Sequence, residues 1–239
     1  MKRALVTGGS GDLGAAICKH LAQDGLHIIV HSFSNVDKAR STVLEIISQG
    51  GSAEAASFDI TDSETTRTAI ERLLENDPIQ VVVNNAGVHA DATFAGMSVS
   101  QWRNVIDVNL HGFYNVTHPL LLPMISSRWG RIVNISSVAG VLGSRGQVNY
   151  AATKAALHGA SKSLAIELGS RGITVNVVAP GIIAGEMTKN SFTEEQIKFL
   201  VPMKRTGHPD EIAAVVRFLC SDEASYVSGQ VIGVNGAMA

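Results

Sequence analysis

The chain has 239 residues, of which 45% are hydrophobic and 17% are charged, and its formal net charge is −2. This length is enough for one large α/β domain with a buried core, and the absence of a concentrated basic surface argues against nucleic-acid binding. No apolar run approaches the roughly 18 residues that a membrane span requires, so we expect no membrane association.

The cysteines and the start of the chain indicate where the protein is found. Cys18 and Cys220 lie in apolar helical patterns and lack metal-ligand spacing or a disulfide framework. The start is basic, but the apolar stretch that follows it ends at Gly8, which makes it too short for a signal peptide. We therefore expect a cytoplasmic protein without a metal site.

Strand and helix patterns alternate along the whole chain, which predicts a parallel sheet covered by helices on both faces. The predicted strands are 3–7, 26–31, 53–58, 79–84, 131–136, 173–178 and 230–234. The predicted helices are 12–24, 36–49, 63–75, 100–127, 149–169 and 209–220. The expected fold is a single α/β domain over residues 1–239, a Rossmann-type, doubly wound sheet of seven parallel strands.

Residues 183–207 fit neither pattern. They carry Gly185, Pro202 and Gly207 around a short helix predicted from Thr193 to Leu200. Loops of this length in a compact domain are usually functional. We expect this segment to form a lid over the substrate site.

The first predicted strand runs directly into a glycine-rich turn and a helix. Gly9, Gly11 and Gly14 match the pattern G-x-G-x-x-G, and the apolar run 27–31 completes a βαβ unit. Glycines let the backbone approach a pyrophosphate, and the positive end of the helix faces that anion. The candidate residues for this dinucleotide site are Thr7, Gly8, Gly9, Ser10, Gly11, Asp12, Leu13 and Gly14.

The end of the second strand indicates which dinucleotide is bound. NAD enzymes place a carboxylate there for the ribose 2′-hydroxyl, whereas this sequence has Ser32 and Phe33 and no acidic residue before Asp37. The missing carboxylate permits a 2′-phosphate, although no arginine stands at the strand end to bind it. We therefore predict NADPH as the cofactor.

Other chemically useful residues follow the later strands, at the edge where open α/β sheets bind ligands. They are Asn85, Ala86, Gly87, Ser137, Pro180 and Gly181. Asn109 lies inside the long predicted helix 100–127, where asparagine is a poor helix former. Its side chain either bonds the backbone at a helix kink or belongs to the site.

Ser137, Tyr150 and Lys154 carry the chemistry. Tyr150 and Lys154 are four residues apart in a predicted helix, so the phenol and the ammonium share one face. A nearby cation favours the phenolate and lowers the tyrosine pKa, which makes the phenol a workable general acid or base. Ser137 would hold the same substrate oxygen, which predicts carbonyl or alcohol chemistry.

These motifs, in this order, resemble the short-chain dehydrogenase/reductase family over essentially the whole chain. Residues 172–181 and 229–236 most resemble the 3-oxoacyl-acyl-carrier-protein reductases of that family. The resemblance implies reduction of a 3-oxoacyl thioester by NADPH in fatty-acid or polyketide-like synthesis.

The resemblance also implies a role for each matching residue. Tyr150 would protonate the ketone oxygen that Ser137 holds. Lys154 would bind the nicotinamide ribose and lower the tyrosine pKa, and Asn109 would anchor a proton-relay water. Further cofactor contacts would come from Asp59, Ile60, Asn85, Ala86, Gly87, Pro180, Gly181 and Ile183.

Three positions depart from the family pattern. Asp12 replaces the second glycine of T-G-x-x-x-G-x-G and is expected to weaken cofactor binding, unless its carboxylate caps the helix and turns away from the phosphates. Gly11 replaces the arginine that would grip the 2′-phosphate. Gly185 replaces a threonine that would bind the carboxamide, so that task is either lost or left to Thr188.

The resemblance finally implies partners. Arg128 and Arg171 match positions that form a basic patch beside the site mouth and grip the acidic acyl carrier protein. A homo-oligomer, commonly a tetramer, is expected. Two alternatives stay open, namely a dehydrogenase of a sugar, polyol or other small secondary alcohol, and a cofactor-binding partner subunit without turnover.

Overall fold

A computed structural model describes residues 1–186, 188 and 191–239, and its centre is one sheet of seven parallel strands. The strands are β1 (Arg3–Val6), β2 (His27–His31), β3 (Ser52–Ala56), β4 (Val81–Asn84), β5 (Gly130–Ile135), β6 (Ile173–Pro180) and β7 (Val231–Val234). Their order across the sheet is β3-β2-β1-β4-β5-β6-β7. The chain therefore moves outward in opposite directions from β1 and β4, as the prediction of a doubly wound sheet requires.

Helices cover both faces of this sheet. They are α1 (Asp12–Gln23), α2 (Val36–Ser48), α3 (Ser63–Leu74), α4 (Val99–Ile106), α5 (Gly112–Ser127), α6 (Ala139–Leu142), α7 (Val148–Leu168), α8 (Glu194–Leu200) and α9 (Pro209–Cys220). The predicted α/β fold with helices on both faces is confirmed. The segment 183–207 carries α8, and within it Met187, Lys189 and Asn190 lie outside the described residues.

The strands are buried on both faces because successive side chains point to opposite sides. In β1, Ala4 and Val6 join a cluster with α1 and α9, whereas Leu5 joins a second cluster with α3 and α5. Cys18 and Cys220 belong to the first cluster, where burial raises the pKa of both thiols. These two clusters fix the sheet edge at which the site is built.

The segment predicted as a helix over 100–127 is helical throughout, but it is not one regular α-helix. A π-helical turn, Asp107–His111, separates α4 from α5 and contains the buried Asn109. The Asn109 side chain bonds the chain after β4 instead of facing outward, and the backbone widens to allow this. Single π turns of this kind are frequent at functional sites.

Candidate active site

The glycine-rich loop after β1 is tied to the chain after β4. The Thr7 hydroxyl accepts hydrogen bonds from the backbone N–H groups of Asn85 and Ala86, both at 3.0 Å. The Asn85 side-chain amide donates to the carbonyls of Thr7 and Gly8 at 2.9 and 3.2 Å. Asn85 therefore holds the loop, which places it at the switch point between β1 and β4.

The loop can accept an anion only because its glycines lack side chains. A Cβ on Gly14 would lie 2.2 Å from the Gly8 carbonyl oxygen, and Gly8 has a positive φ of 63°. Gly11 begins α1 without a side-chain cap, so the first N–H groups of the helix keep their donors for a ligand. This cradle at a helix N-terminus fits the pyrophosphate of a dinucleotide.

His31, at the end of β2, also shapes the loop, although the sequence analysis did not select it. Its Nδ1 accepts from the Gly8 N–H at 3.3 Å, and its Nε2–H donates to the Phe58 carbonyl at 2.9 Å. Burial lowers the pKa of His31 to about 4, so the ring is neutral and can accept. The sequence feature that could have indicated this role is a histidine at the end of an otherwise apolar strand.

The predicted adenosine end of the site lies beside these residues. The Ser32 hydroxyl is buried and accepts from Ser10 Oγ and from the Asn35 N–H, both at 3.0 Å. Phe33 is 61% exposed and leaves room for a ligand over its ring. The Asp59 carboxylate is bound to Thr61, at 2.9 Å to its N–H and 2.8 Å to its hydroxyl, and so caps a local turn.

Tyr150 lies near the N-terminus of α7 with its phenol facing Ser137. Burial raises its pKa, the hydrogen bond with Ser137 lowers it, and the Asp91 carboxylate raises it. The expectation of a lowered tyrosine pKa is therefore wrong for the protein without cofactor, because burial exceeds the favourable effects. A phenol with a raised pKa is protonated at neutral pH and is a proton donor.

Lys154 is buried on the same face of α7. Its Nζ lies 5.5 Å from the centre of the Tyr150 ring and donates to the Ile135 carbonyl at 2.8 Å. Burial lowers its pKa to about 8, and no carboxylate contributes to that shift. A buried ammonium with one carbonyl acceptor among the described residues has donors left for a polar ligand.

Asn109 joins the chain after β4 to α7. Its Oδ1 accepts from the Val88 N–H, and its Nδ2 donates to the Val88 carbonyl, both at 2.9 Å. Nδ2 also donates to the Thr153 hydroxyl at 3.1 Å. Gly87 makes room for this arrangement, because a Cβ there would lie 3.2 Å from Lys154 Nζ and 3.3 Å from Asn109 Oδ1.

The loop after β6 faces the same edge. The Pro180 carbonyl accepts from the Val138 N–H at 2.7 Å, and Gly181 has no space for a side chain beside Asn235. The Thr188 hydroxyl donates to the Ile183 carbonyl at 2.5 Å and to the Gly185 carbonyl at 3.2 Å. The Thr188 hydroxyl therefore forms hydrogen bonds within the loop itself in this structure.

Asp12 does not cap α1. Its Oδ2 accepts a hydrogen bond of 2.8 Å from the Glu186 N–H, and a Cβ on Gly185 would lie 2.7 Å from that oxygen. The carboxylate thus turns toward the loop after β6. Two of the three departures from the family pattern are in direct contact.

The sequence-predicted residues after β1, β2, β4, β5 and β6 are brought to one edge of the sheet. Arg128 and Arg171 do not lie there. They precede β5 and β6, so they lie at the N-terminal ends of these strands, whereas Ser137 follows the C-terminal end of β5. A six-residue strand spans about 20 Å, so these arginines do not border this chain's own site. Arg128 does lie beside Arg171, since its guanidinium donates to the Ser170 carbonyl at 3.2 Å.

Comparisons with known proteins agree with this geometry. A family model described as short chain dehydrogenase matches residues 2–196. A 3-oxoacyl-[acyl-carrier-protein] reductase FabG from Aquifex aeolicus is 44% identical over 241 residues, with 99% of this chain and 97% of the relative covered.

Solved structures are similar to this chain over nearly its whole length. A 3-oxoacyl-[acyl-carrier protein] reductase from Brucella melitensis has a TM-score of 0.93 and 34% identity, with 99% of this chain and 91% of that chain covered. A protein from Agrobacterium tumefaciens described as a candidate gluconate dehydrogenase has a TM-score of 0.95 and 31% identity, with 99% and 95% covered. Within the described residues, no helix has the length and apolar character needed to cross a membrane.

Proposed function

The chain belongs to the short chain dehydrogenase family, and on that basis we propose that it reduces 3-oxoacyl thioesters to 3-hydroxyacyl thioesters with NADPH. The substrate would be carried on an acyl carrier protein in fatty-acid or polyketide-like synthesis. The relatives named for this reaction, similar over nearly the whole chain, support the substrate class. A cytoplasmic location stays a prediction.

One observation carries the assignment of Tyr150 as the proton donor. The Tyr150 phenol is protonated at neutral pH, as an ordinary phenol is, burial raises its pKa further, and the Ser137 hydroxyl is hydrogen-bonded to it. Reduction of a ketone requires a proton at the oxygen, and a neutral phenol supplies one. This arrangement therefore supplies the proton that ketone reduction needs.

The other residues of the site orient the reactants. A bound reduced nicotinamide cofactor supplies the hydride. Ser137 would hold the ketone oxygen against Tyr150, which would transfer its proton as the oxygen gains charge. Lys154, mostly protonated at neutral pH because its pKa is about 8, would bind the nicotinamide ribose and stabilise the resulting phenolate.

Asn109 and its neighbours would return a proton to Tyr150. The Asn109 amide bonds Val88 on one side and Thr153 on the other, so its position is fixed between β4 and α7. A water held there would connect the lysine to solvent, which is the role proposed for Asn109. Its buried position inside a π turn supports a role in the site over a structural role at the surface.

The preference for NADPH over NADH rests on the end of β2. Ser32 presents a hydroxyl, not a carboxylate, and Ser10 and Asn35 both donate to that hydroxyl. The pocket therefore lacks the negative charge that would exclude a 2′-phosphate. The other residues proposed to contact the cofactor are Thr7, Gly8, Gly9, Ser10, Gly11, Asp12, Leu13, Gly14, Phe33, Asp59, Ile60, Asn85, Ala86, Gly87, Pro180, Gly181 and Ile183.

Carrier recognition would involve more than one copy of the chain. Arg128 and Arg171 lie at the sheet edge remote from this chain's Ser137, so they could flank a site only if a second copy presents them. We propose a homotetramer in which such a basic patch meets the acidic carrier. The segment 183–207 is proposed as the lid that selects the acyl group.

A single assay tests the proposal. NADPH oxidation is followed with acetoacetyl thioester, with a carrier-bound 3-oxoacyl group and with a panel of oxidised sugars, using Tyr150→Phe as the control for the site. Turnover of the thioesters that the control lacks supports the proposed function. Turnover of sugars alone, or tight NADPH binding without any turnover, would overturn it.

A second candidate function is oxidation of a sugar or polyol. The observation that favours it is the likeness to the candidate gluconate dehydrogenase, whose TM-score is 0.95. The same catalytic residues would then act in reverse, with the Tyr150 phenolate as the base. In that direction Tyr150 would first have to lose its proton, and burial raises its pKa.

A further inference from the structure

The first turn of α1 and the loop after β6 are joined by one hydrogen bond. Asp12 Oδ2 accepts it from the Glu186 N–H at 2.8 Å. A Cβ on Gly185 would approach the same oxygen to 2.7 Å, which is closer than Cβ atoms come to their neighbours. The bond therefore needs an acceptor oxygen at position 12, and a side chain at position 185 would push against that oxygen.

The same loop is held on its other side by the segment before α9. Ala184 N–H donates to the Gly207 carbonyl and Gly207 N–H donates to the Ile182 carbonyl, both at 2.9 Å. Asp12 thus supplies the contact on the side of the glycine-rich loop. Between these two anchors, residues 182–186 lie at the sheet edge where β6 ends, beside the anion cradle of α1.

We propose that Asp12 is a positioning residue, whose carboxylate holds the loop 182–186 against α1 before the cofactor binds, and that Gly185 is required to admit this carboxylate. The proposal rests on the proposed function in one respect, that the cleft between the loop and α1 takes a nicotinamide cofactor. Holding the loop in place lowers the entropy cost of ordering it on binding.

The carboxylate has a second, opposite effect. Its negative charge at the N-terminus of α1 repels the pyrophosphate that the cradle attracts. Asp12→Ala removes both the acceptor and the charge, whereas Asp12→Asn removes the charge and keeps an acceptor oxygen. Comparison of the two variants therefore separates positioning from repulsion.

Amide hydrogen exchange in the protein without cofactor tests the contact itself. We expect the Glu186 amide to exchange on the order of 10-fold faster in Asp12→Ala than in the wild type, and at nearly the wild-type rate in Asp12→Asn. Asp37→Ala is the matched control, because Asp37 is likewise the acidic residue in the first turn of a helix, α2. Equal exchange in wild type and Asp12→Ala would overturn the proposal.

A double-mutant cycle tests the pairing with Gly185. Gly185→Ala should lower the melting temperature in the wild type and lower it less when Asp12→Ala is also present, because the clash with the carboxylate is then gone. Additive effects of the two substitutions would contradict a coupled pair.

Cofactor binding tests the functional consequence. We expect Asp12→Ala to bind NADP⁺ about 5-fold more weakly than Asp12→Asn, in a titration of intrinsic fluorescence, which corresponds to about 1 kcal/mol. Equal affinities would show that the loop contact does not assist binding and would overturn the positioning role. The exchange and melting experiments use no cofactor, so their outcome is independent of whether the protein reduces thioesters.

Discussion

Lys154 Nζ lies 5.5 Å from the centre of the Tyr150 ring, and on their shared face of α7 the lysine is buried and the tyrosine half-buried. Burial acts on them in opposite directions, since it raises the pKa of the phenol and lowers that of the ammonium. Each shift favours the neutral form of its group. Without cofactor, the pair is thus a neutral phenol beside a lysine whose pKa is about 8.

Tyr150→Phe should remove most of the turnover, by a factor on the order of 10²–10⁴, because the proton donor is lost. The affinity for NADPH should change little, since the ring and its packing remain. Steady-state kinetics with acetoacetyl thioester and a binding titration check the two statements. A variant with nearly wild-type kcat would contradict the assigned proton donor.

Asp91→Asn should move to lower pH the tyrosine limb of the kcat profile, which lies above the limb that Lys154 sets near pH 8. The Asp91 carboxylate raises the pKa of Tyr150, so removing its charge lets the phenol ionise at a lower pH, and the phenolate cannot donate. The measurement is the pH profile of reduction. Asp107→Asn is the control, because Asp107 pairs with His111 on an exposed surface, and a shift of the same size in both variants would refute the assignment.

His31 should make the protein less stable in mild acid. The folded-state pKa is about 4 and the ordinary value is 6.5, so between these values only the unfolded chain binds the proton. Stability should therefore fall as pH drops from 6.5 toward 4, by about 3 kcal/mol at most from this residue. Urea unfolding of the wild type and His31→Gln checks this, and identical pH slopes would contradict it.

Ser32→Asp should shift the cofactor preference toward NADH. The new carboxylate would stand where Ser10 and Asn35 now donate to the serine hydroxyl, and it would repel a 2′-phosphate. The values of kcat/KM for both cofactors decide the matter, with Ser32→Ala as the control without charge. A wild type that already prefers NADH would contradict the premise that the unmodified protein prefers NADPH.

Charge reversal of Arg128 and Arg171 to Glu should raise KM for a carrier-bound substrate by about 10-fold and leave kcat/KM for acetoacetyl thioester nearly constant. Contacts between exposed charges mainly raise association rates, and salt screens them over about 8 Å at physiological ionic strength. The matched control reverses Arg40 and Arg67, which are exposed on α2 and α3. Equal losses on both substrates would assign the arginines to the fold.

The sequence predicted the sheet well because burial on both faces leaves apolar strands separated by amphipathic helices. It also predicted which residues meet at the sheet edge, since Asn85, Ser137 and Pro180 follow strands whose ends must adjoin. Three features depend on tertiary contacts and could not be inferred this way. They are the π turn formed around Asn109, the burial that raises the pKa of Tyr150, and the contact of Asp12 with the loop after β6.

Because of the π turn, the structure from α4 to α5 depends more on the number of residues in this segment than on their identity. Removing one residue from Asp107–His111 would let the two helices merge into a regular α-helix. Because the π turn holds one residue more than an α turn, the helical faces on either side of it would keep their present orientation, and only the wide turn that places Asn109 would be lost. Asn109 would then lose its hydrogen bonds to both Val88 and Thr153. A single deletion here should therefore damage the site more than most substitutions at the same positions.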